Sequence, residues 1–187
     1  MNTNTPTNLP SWQLLVDAIA SEPDPRRRRN MEIVAEHVVH EVAGDIPALL
    51  ATLVPEPTYR FWGPTESRPA QGQTAVEAHY RSLIQTGKNR LEFHITRVIA
   101  DHDNVVTEGE FRFAYRGRDV TMLSNAPERP VDENARYLVA IHCLIVWPIS
   151  PEGLILGEDI FAGEPPRVIR QLEPGEMPHL GLPSPTN

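Results

Sequence analysis

"RLEFHITRVIADHDNVVTEGEFRFAYRG" (Arg90 to Gly117) decides the fold. Apolar and polar residues alternate on both sides of the turn "DHDN", with Leu91, Phe93 and Ile95 before it and Phe111, Phe113 and Tyr115 after it. A period of two marks strands with one buried face, and an Asp/Asn-rich turn between two such runs makes a hairpin. Two further strand patterns follow, "ARYLVAIHCLIVW" (135–147) and "GLILGEDIF" (153–161), joined through "PISPEG". "TYRFWG" (58–63) reads as an earlier strand and "RVIRQL" (167–172) as a late edge strand.

Before residue 90 the period is helical. "SWQLLVDAIASE" (11–22) reads as a short helix with Ser11 as N-cap, and "PDPRRRRN" (23–30) breaks it. "MEIVAEHVVHEVAGD" (31–45) is a second helix ending near Gly44. Asp45 caps a third, with Pro47 in its first turn. "TAVEAHYRSLIQTG" (74–87) is a fourth, capped by Thr74 and stopped at Gly87. Helices followed by meandering strands predict an α+β domain, its helices packed on one face of an antiparallel sheet of about four to six strands. The expected division is a tail and short helix over 1–30, the α+β domain over 31–172, and a proline-rich tail over 173–187.

The chain has 187 residues, enough for one domain with a real core. Its net charge of −8 gives no global electrostatic support for nucleic-acid binding. The run Arg26 to Arg29 is the one basic cluster, and its plainest reading is a solvated face. One cysteine, Cys143, lies inside an apolar strand, so no disulfide framework exists and the thiol reads as a small buried hydrophobe. The first ten residues are polar, reading as a disordered tail without a signal-peptide core. The longest apolar run is too short for a membrane helix, so the expectation is a cytoplasmic protein with no membrane partner. The histidines lack metal-ligand spacing, "HVVH" alone being weak, so neither a metal nor a cofactor is expected. Residues 118–134 form a long polar loop, expected to be mobile or to border a pocket entrance.

Four stretches carry a family resemblance: "AGDIPALLATLVPEPTYRFWG", "GQTAVEAHYRSL", "VIADHDNVVTEGEF" and "GLILGEDIF". In order and spacing they resemble the nuclear-transport-factor-two-like superfamily, and within it the SnoaL-like branch of polyketide cyclases and ketosteroid-isomerase-like proteins, over about residues 31–162. The resemblance implies a cone-shaped, curved antiparallel sheet with about three helices on its concave face. It implies an apolar pocket between helices and sheet, in which one Asp or Glu, often with a His or Tyr, does the chemistry. The limonene-epoxide-hydrolase-like pattern keeps Tyr59 but has Phe61 in place of Asn, and Gly109 and Phe111 in place of Arg and Asp. The scytalone-dehydratase-like pattern asks for an acid and a His on the long helix. Glu36, His37, His40 and Glu41 fall on one helical face there, opposite the valines, and the two histidines are expected to be solvent-exposed. The SnoaL-like pattern asks for an Asp on the last strand and a His on the one before, which His142 and Asp159 supply.

Closing the last hairpin at Trp147 opposite Leu154 sets His142 against Asp159 and Cys143 against Glu158. Opposed residues share a face, so His142 and Asp159 would touch and could move a proton. A one-residue bulge would change the partner to Glu158. The bulkier face, with Ile141, Cys143, Ile145 and Trp147, carries Glu158, so which carboxylate faces the pocket stays open, as does a purely structural His–Asp pair. Tyr59, Trp62, Tyr80, Phe111 and Trp147 are the candidates for lining an apolar pocket. Strand 137–147 is apolar on both faces, which predicts a homodimer through the outer face of the sheet. The functional expectation is a small-molecule enzyme doing cofactor-free acid–base chemistry (cyclisation, isomerisation or dehydration) on an apolar substrate. The alternative is a non-catalytic binding or dimerisation module.

Overall fold

The computed structural model describes residues 10–63, 69–121, 123 and 131–181. Most of the N-terminal tail, the centre of the 118–134 loop and residues 182–187 lie outside them. The fold is α+β. Helices α1 (Gln13–Ser21), α2 (Pro25–Ala43) and α3 (Ile46–Ala51) lead into strand β1 (Leu53–Trp62) and the two-residue β2 (Ala70–Gln71). Helix α4 (Gln73–Thr86) precedes β3 (Glu92–Ala100) and β4 (Asn104–Arg116). The short α5 (Gly117–Val120), β5 (Arg136–Pro148), β6 (Ile155–Ala162) and β7 (Arg167–Gln171) complete the order.

The strands form one curved, open sheet in the order β2-β1-β6-β5-β4-β3, with β7 continuing along the edge of β5 beyond the end of β6. The sheet is mixed rather than purely antiparallel, because β1 lies parallel to β6. Helices fill the concave side. Leu15 from α1, Val34 and Val38 from α2, Leu49 from α3 and Val76 and Tyr80 from α4 meet Phe93, Ile145, Trp147 and Ile155 in one core.

Several local expectations are corrected. Helix α2 starts at Pro25, so the arginine run is its first turn and the 30/31 boundary falls inside a helix. Asp24 caps that helix by accepting from the amides of Arg26 and Arg27. Arg26 donates to the carbonyls of His102, Ser150 and Pro151, and Arg28 to that of Glu22. Arg27 pairs with Glu22, and Arg29 with Glu32 and Glu36. Ser11 does not cap α1; its Oγ accepts from the Phe93 amide at 2.8 Å. Gly72, not Thr74, occupies the N-cap position of α4. The Asp45 cap, accepting from the Ala48 amide, and the left-handed stops at Gly44 and Gly87 are as expected.

Residues 172–181 lie over the outer side of the sheet. Leu172 and Leu180 bury Leu138, and Arg136 donates to the carbonyls of Glu176, Met177 and Leu180. Among the described residues no helix is long and apolar enough to cross a membrane.

Candidate active site

The inward stripe of α2 decides what the site contains. At 100° per residue, Asn30, Val34, His37, Val38 and Glu41 fall on one side of the helix and Val39 on the other. Asn30, Val34, His37 and Val38 are buried, Glu41 is half-buried, and Val39 is exposed. This overturns the expectation that His37 is solvent-exposed, since its relative exposure is 0%. The polar face of α2 is narrower than its residue types suggest: Glu36 lies outside, but the His37–Glu41 edge turns into the core.

A bulge in β6 places the acid. Against β5, Ile155 pairs with Ile149 and Asp159 with Val146, so β6 carries one residue more than β5 between the two pairs. Strict alternation would put Leu156 and Glu158 on one face. Instead Leu156 points outward at 41% exposure and Glu158 inward at 5%. The β5–β6 turn is also tighter than expected: Gly153 N bonds Ser150 O, β5 runs on through Pro148, and Asp159 stands opposite Val146. The expected contact of His142 with Asp159 is therefore not made. His142 is on the outer face, 3.3 Å from Glu108. Asp159 is on the same face, 3.4 Å from both Arg60 and the Trp62 indole nitrogen. Trp62, expected in the pocket, is stacked on Phe161 outside it at 52% exposure.

Inside, Glu158 Oε1 accepts from the Tyr80 hydroxyl at 2.9 Å. The Tyr80 oxygen also lies 2.8 Å from His37 Nε2 and 2.9 Å from the Tyr59 hydroxyl. On the far side of the imidazole, Nδ1 is 2.6 Å from Thr52 Oγ1. Thr52 donates its own proton to the Leu49 carbonyl, so it can only accept from His37. The proton on Nδ1 is thereby fixed and Nε2 faces Tyr80. With the Glu158 carboxylate accepting from Tyr80, Nε2 of the neutral imidazole has the Tyr59 hydroxyl as a donor at 3.3 Å. A proton arriving on Glu158 can pass to the Tyr80 oxygen as the Tyr80 proton passes to Nε2, so Tyr80 can relay a proton between Glu158 and His37.

Tyr80 and Glu158 bring this cluster to one wall of a cavity of about 510 Å³ between α2, α4 and the sheet, with His37, Tyr59 and Thr52 behind them. Its remaining lining is mostly apolar, with Phe61, Phe93, Phe111, Phe113, Ile145 and Trp147. Trp147 is held by its indole N–H donating to Thr107 at 2.9 Å. Glu41 and His79 also line it. Burial, reinforced by the charge of Glu158, pushes the Glu41 carboxyl up to about 8. Burial lowers His79, against the pull of Glu158, keeping its ring neutral at pH 7. Burial and the same charge raise the phenols of Tyr59 and Tyr80 well above their ordinary value, so both stay donors. The Cys143 thiol, raised to about 12 by burial, is inert.

Of the residues singled out from sequence, the structure gathers Glu158, Tyr59, Tyr80, Phe111 and Trp147 at the cavity and its acid cluster, and sends His142, Asp159 and Trp62 to the outer face. Sequence reasoning missed His37, Thr52, Glu41, His79 and Lys88 as site residues. The signal for the first and third was present in the four-residue spacing of His37 and Glu41 and in the stripe that runs on from Val34. No cluster of metal-ligating residues occurs among the described residues.

An open cone of curved sheet closed by helices, with an acid on a late strand pointing into it, is the architecture of the nuclear-transport-factor-two-like proteins. The chain belongs to the SnoaL-like domain family, whose model matches residues 34–131, over half of its length. Solved structures agree on the fold. A SnoaL-like protein from Shewanella putrefaciens CN-32, assigned as a polyketide cyclase, superposes with a TM-score of 0.57 at 13% identity, covering 80% of this chain and 86% of that one. One with the same assignment from Jannaschia sp. CCS1 gives 0.56 at 16% identity, covering 76% and 91%. The epoxide hydrolase/cyclase-like enzyme SalBIII, of pyran ring formation in the polyether salinomycin, gives 0.53 at 19% identity, covering 73% and 92%. A search of curated proteins finds no match.

Proposed function

We propose that the cavity is the active site of a cofactor-free acid–base enzyme acting on an apolar small molecule, by cyclisation, isomerisation or dehydration. The observation that carries this reading is Glu158: a carboxylate 5% exposed, at the wall of an apolar cavity, with a phenol donating to it. A buried carboxylate is costly unless it is hydrogen-bonded, and the Tyr80 hydroxyl meets that need while leaving the second carboxylate oxygen free of it. Glu158 takes the proton from the substrate. The relay through Tyr80 to His37 gives that proton somewhere to go and returns it later. Glu41, raised to about 8, is mostly protonated at pH 7 and serves as the acid for a developing oxyanion or leaving hydroxyl. Two carboxyl groups whose environments differ in this way divide the acid and base roles. The neighbour SalBIII, named for pyran ring formation, is compatible with such chemistry in this fold.

The test is α-proton exchange of an enolisable bicyclic ketone, 2-tetralone, followed by NMR in D₂O. The protein is expected to accelerate exchange, and Glu158→Gln to lower the rate by about a hundredfold or more, the usual size of a lost general base. Asp159→Asn, on the outer face, is the control and should leave the rate unchanged. Binding of the ketone without exchange would favour the non-catalytic module instead.

A further inference from the structure

The cavity does not end at its aromatic wall. A second cleft of about 490 Å³ shares Lys88, Phe113 and Tyr115 with it and continues to Arg116, Arg118 and Asp119. On β4, Phe111, Phe113 and Tyr115 step from the first space into the second at ring separations of 6.0 Å. The polar groups are sorted between the two. Glu41 and Glu158 line only the inner cavity, whereas Lys88, Arg116 and Arg118 stand against Asp119 in the outer cleft. That excess of positive charge occurs in a chain whose net charge is −8. Lys88 is the one lysine in the sequence, and it sits where the two spaces join, its Nζ 5.5 Å from the centre of the Tyr115 ring. Neither Lys88 nor the two arginines forms an ion pair among the described residues.

We propose that the outer cleft binds an anionic group, so that the substrate is an apolar acid with its carboxylate at Lys88 and Arg118 and its apolar body in the inner cavity. This rests on reading the cavity as the substrate site. Electrostatics sets the orientation. A carboxylate entering head first would meet Glu158, whereas one held at Lys88 leaves the far, apolar end of the molecule against the acid cluster. Lys88 and Arg118 are then specificity-determining residues.

The experiment is calorimetric titration with dodecanoate and with dodecan-1-ol, which share a chain and differ in charge. At low ionic strength dodecanoate is expected to bind about tenfold more tightly, the effect of one or two half-solvated charge pairs, and added salt should narrow the gap. In the Lys88→Met, Arg118→Gln variant the preference should fall to near one while the alcohol binds as before, which also shows that the cavity is intact. Equal affinity for the two compounds, a preference that survives both substitutions, or binding of neither would overturn the proposal. Glu158→Gln separates the two readings, because it should lower proton exchange by about a hundredfold or more and leave the preference for the acid in place. A wild-type protein that prefers dodecanoate but exchanges no proton would retire the enzyme reading alone.

Discussion

Gly157 lies so close to Thr58 that a β-carbon on it would stand 1.9 Å from the Thr58 carbonyl oxygen. Its φ of 149° is also one that L side chains rarely adopt. The bulge that turns Glu158 inward therefore requires glycine. Gly157→Ala is expected to destabilise the fold by on the order of 2 kcal/mol or more. Urea denaturation measures this, and an unchanged midpoint would show that β1 and β6 can separate without cost.

Removing the Tyr80 hydroxyl isolates Glu158. In Tyr80→Phe the one donor whose bond to Oε1 is short and direct is gone, with His37 Nε2 left at 3.3 Å. The expected loss is about 1–3 kcal/mol, that of an unsatisfied buried acceptor. Combined with Glu158→Gln the losses should be non-additive, because both report on one contact. Strict additivity in a double-mutant cycle would separate the two residues.

Glu41 predicts a pH dependence with a definite sign. Its carboxyl is raised in the folded protein, so between its ordinary value and about 8 the native state holds a proton that the unfolded chain releases. Stability then declines as pH rises through that window and levels off above it. Activity that needs the protonated acid falls across pH 8. Glu41→Gln should remove the stability slope and the alkaline limb together, read by thermal melts and rate profiles over the same pH range.

The outer face offers Trp62 and Phe161, stacked at 5.9 Å, beside the half-buried Leu144 and Val146. A second copy of the chain is the expected occupant, since an exposed apolar sheet face of this kind marks an interface. Sedimentation should find a dimer that Trp62→Glu with Phe161→Glu converts to a monomer. A monomeric parent protein at micromolar concentration would contradict this. The other half of that face is already covered by Leu172 and Leu180 of the same chain.

The alternating runs after residue 90 were legible because period two admits one reading, and the caps at Asp45, Gly44 and Gly87 because each answers a stereochemical need. The site was legible in type but not in register. Neither the tight Ser150–Gly153 turn nor the bulge at Gly157 changes the hydrophobic pattern enough to be seen, yet together they decide whether Asp159 or Glu158 enters the cavity. His37 was misplaced for a different reason. A histidine at the margin of an amphipathic stripe is polar by composition, and only partners brought from the end of α3 and from α4 make its burial tolerable. Thr52 and Tyr80 are remote from it in sequence, so no local pattern announces them.

Arg26 holds two hairpin tips at once, through His102 on one and Ser150 and Pro151 on the other. The helix it belongs to carries His37 and Glu41, and the second tip begins the strand that carries Glu158. The acid and base are thus tethered to each other at a point remote from the reaction. Amide hydrogens of 101–104 and 150–153 should exchange with solvent as one cooperative unit with the first turn of α2. Cutting this single guanidinium loose with Arg26→Ala would let the tips open separately. The geometry between helix and hairpin would then loosen without any cavity residue having been touched.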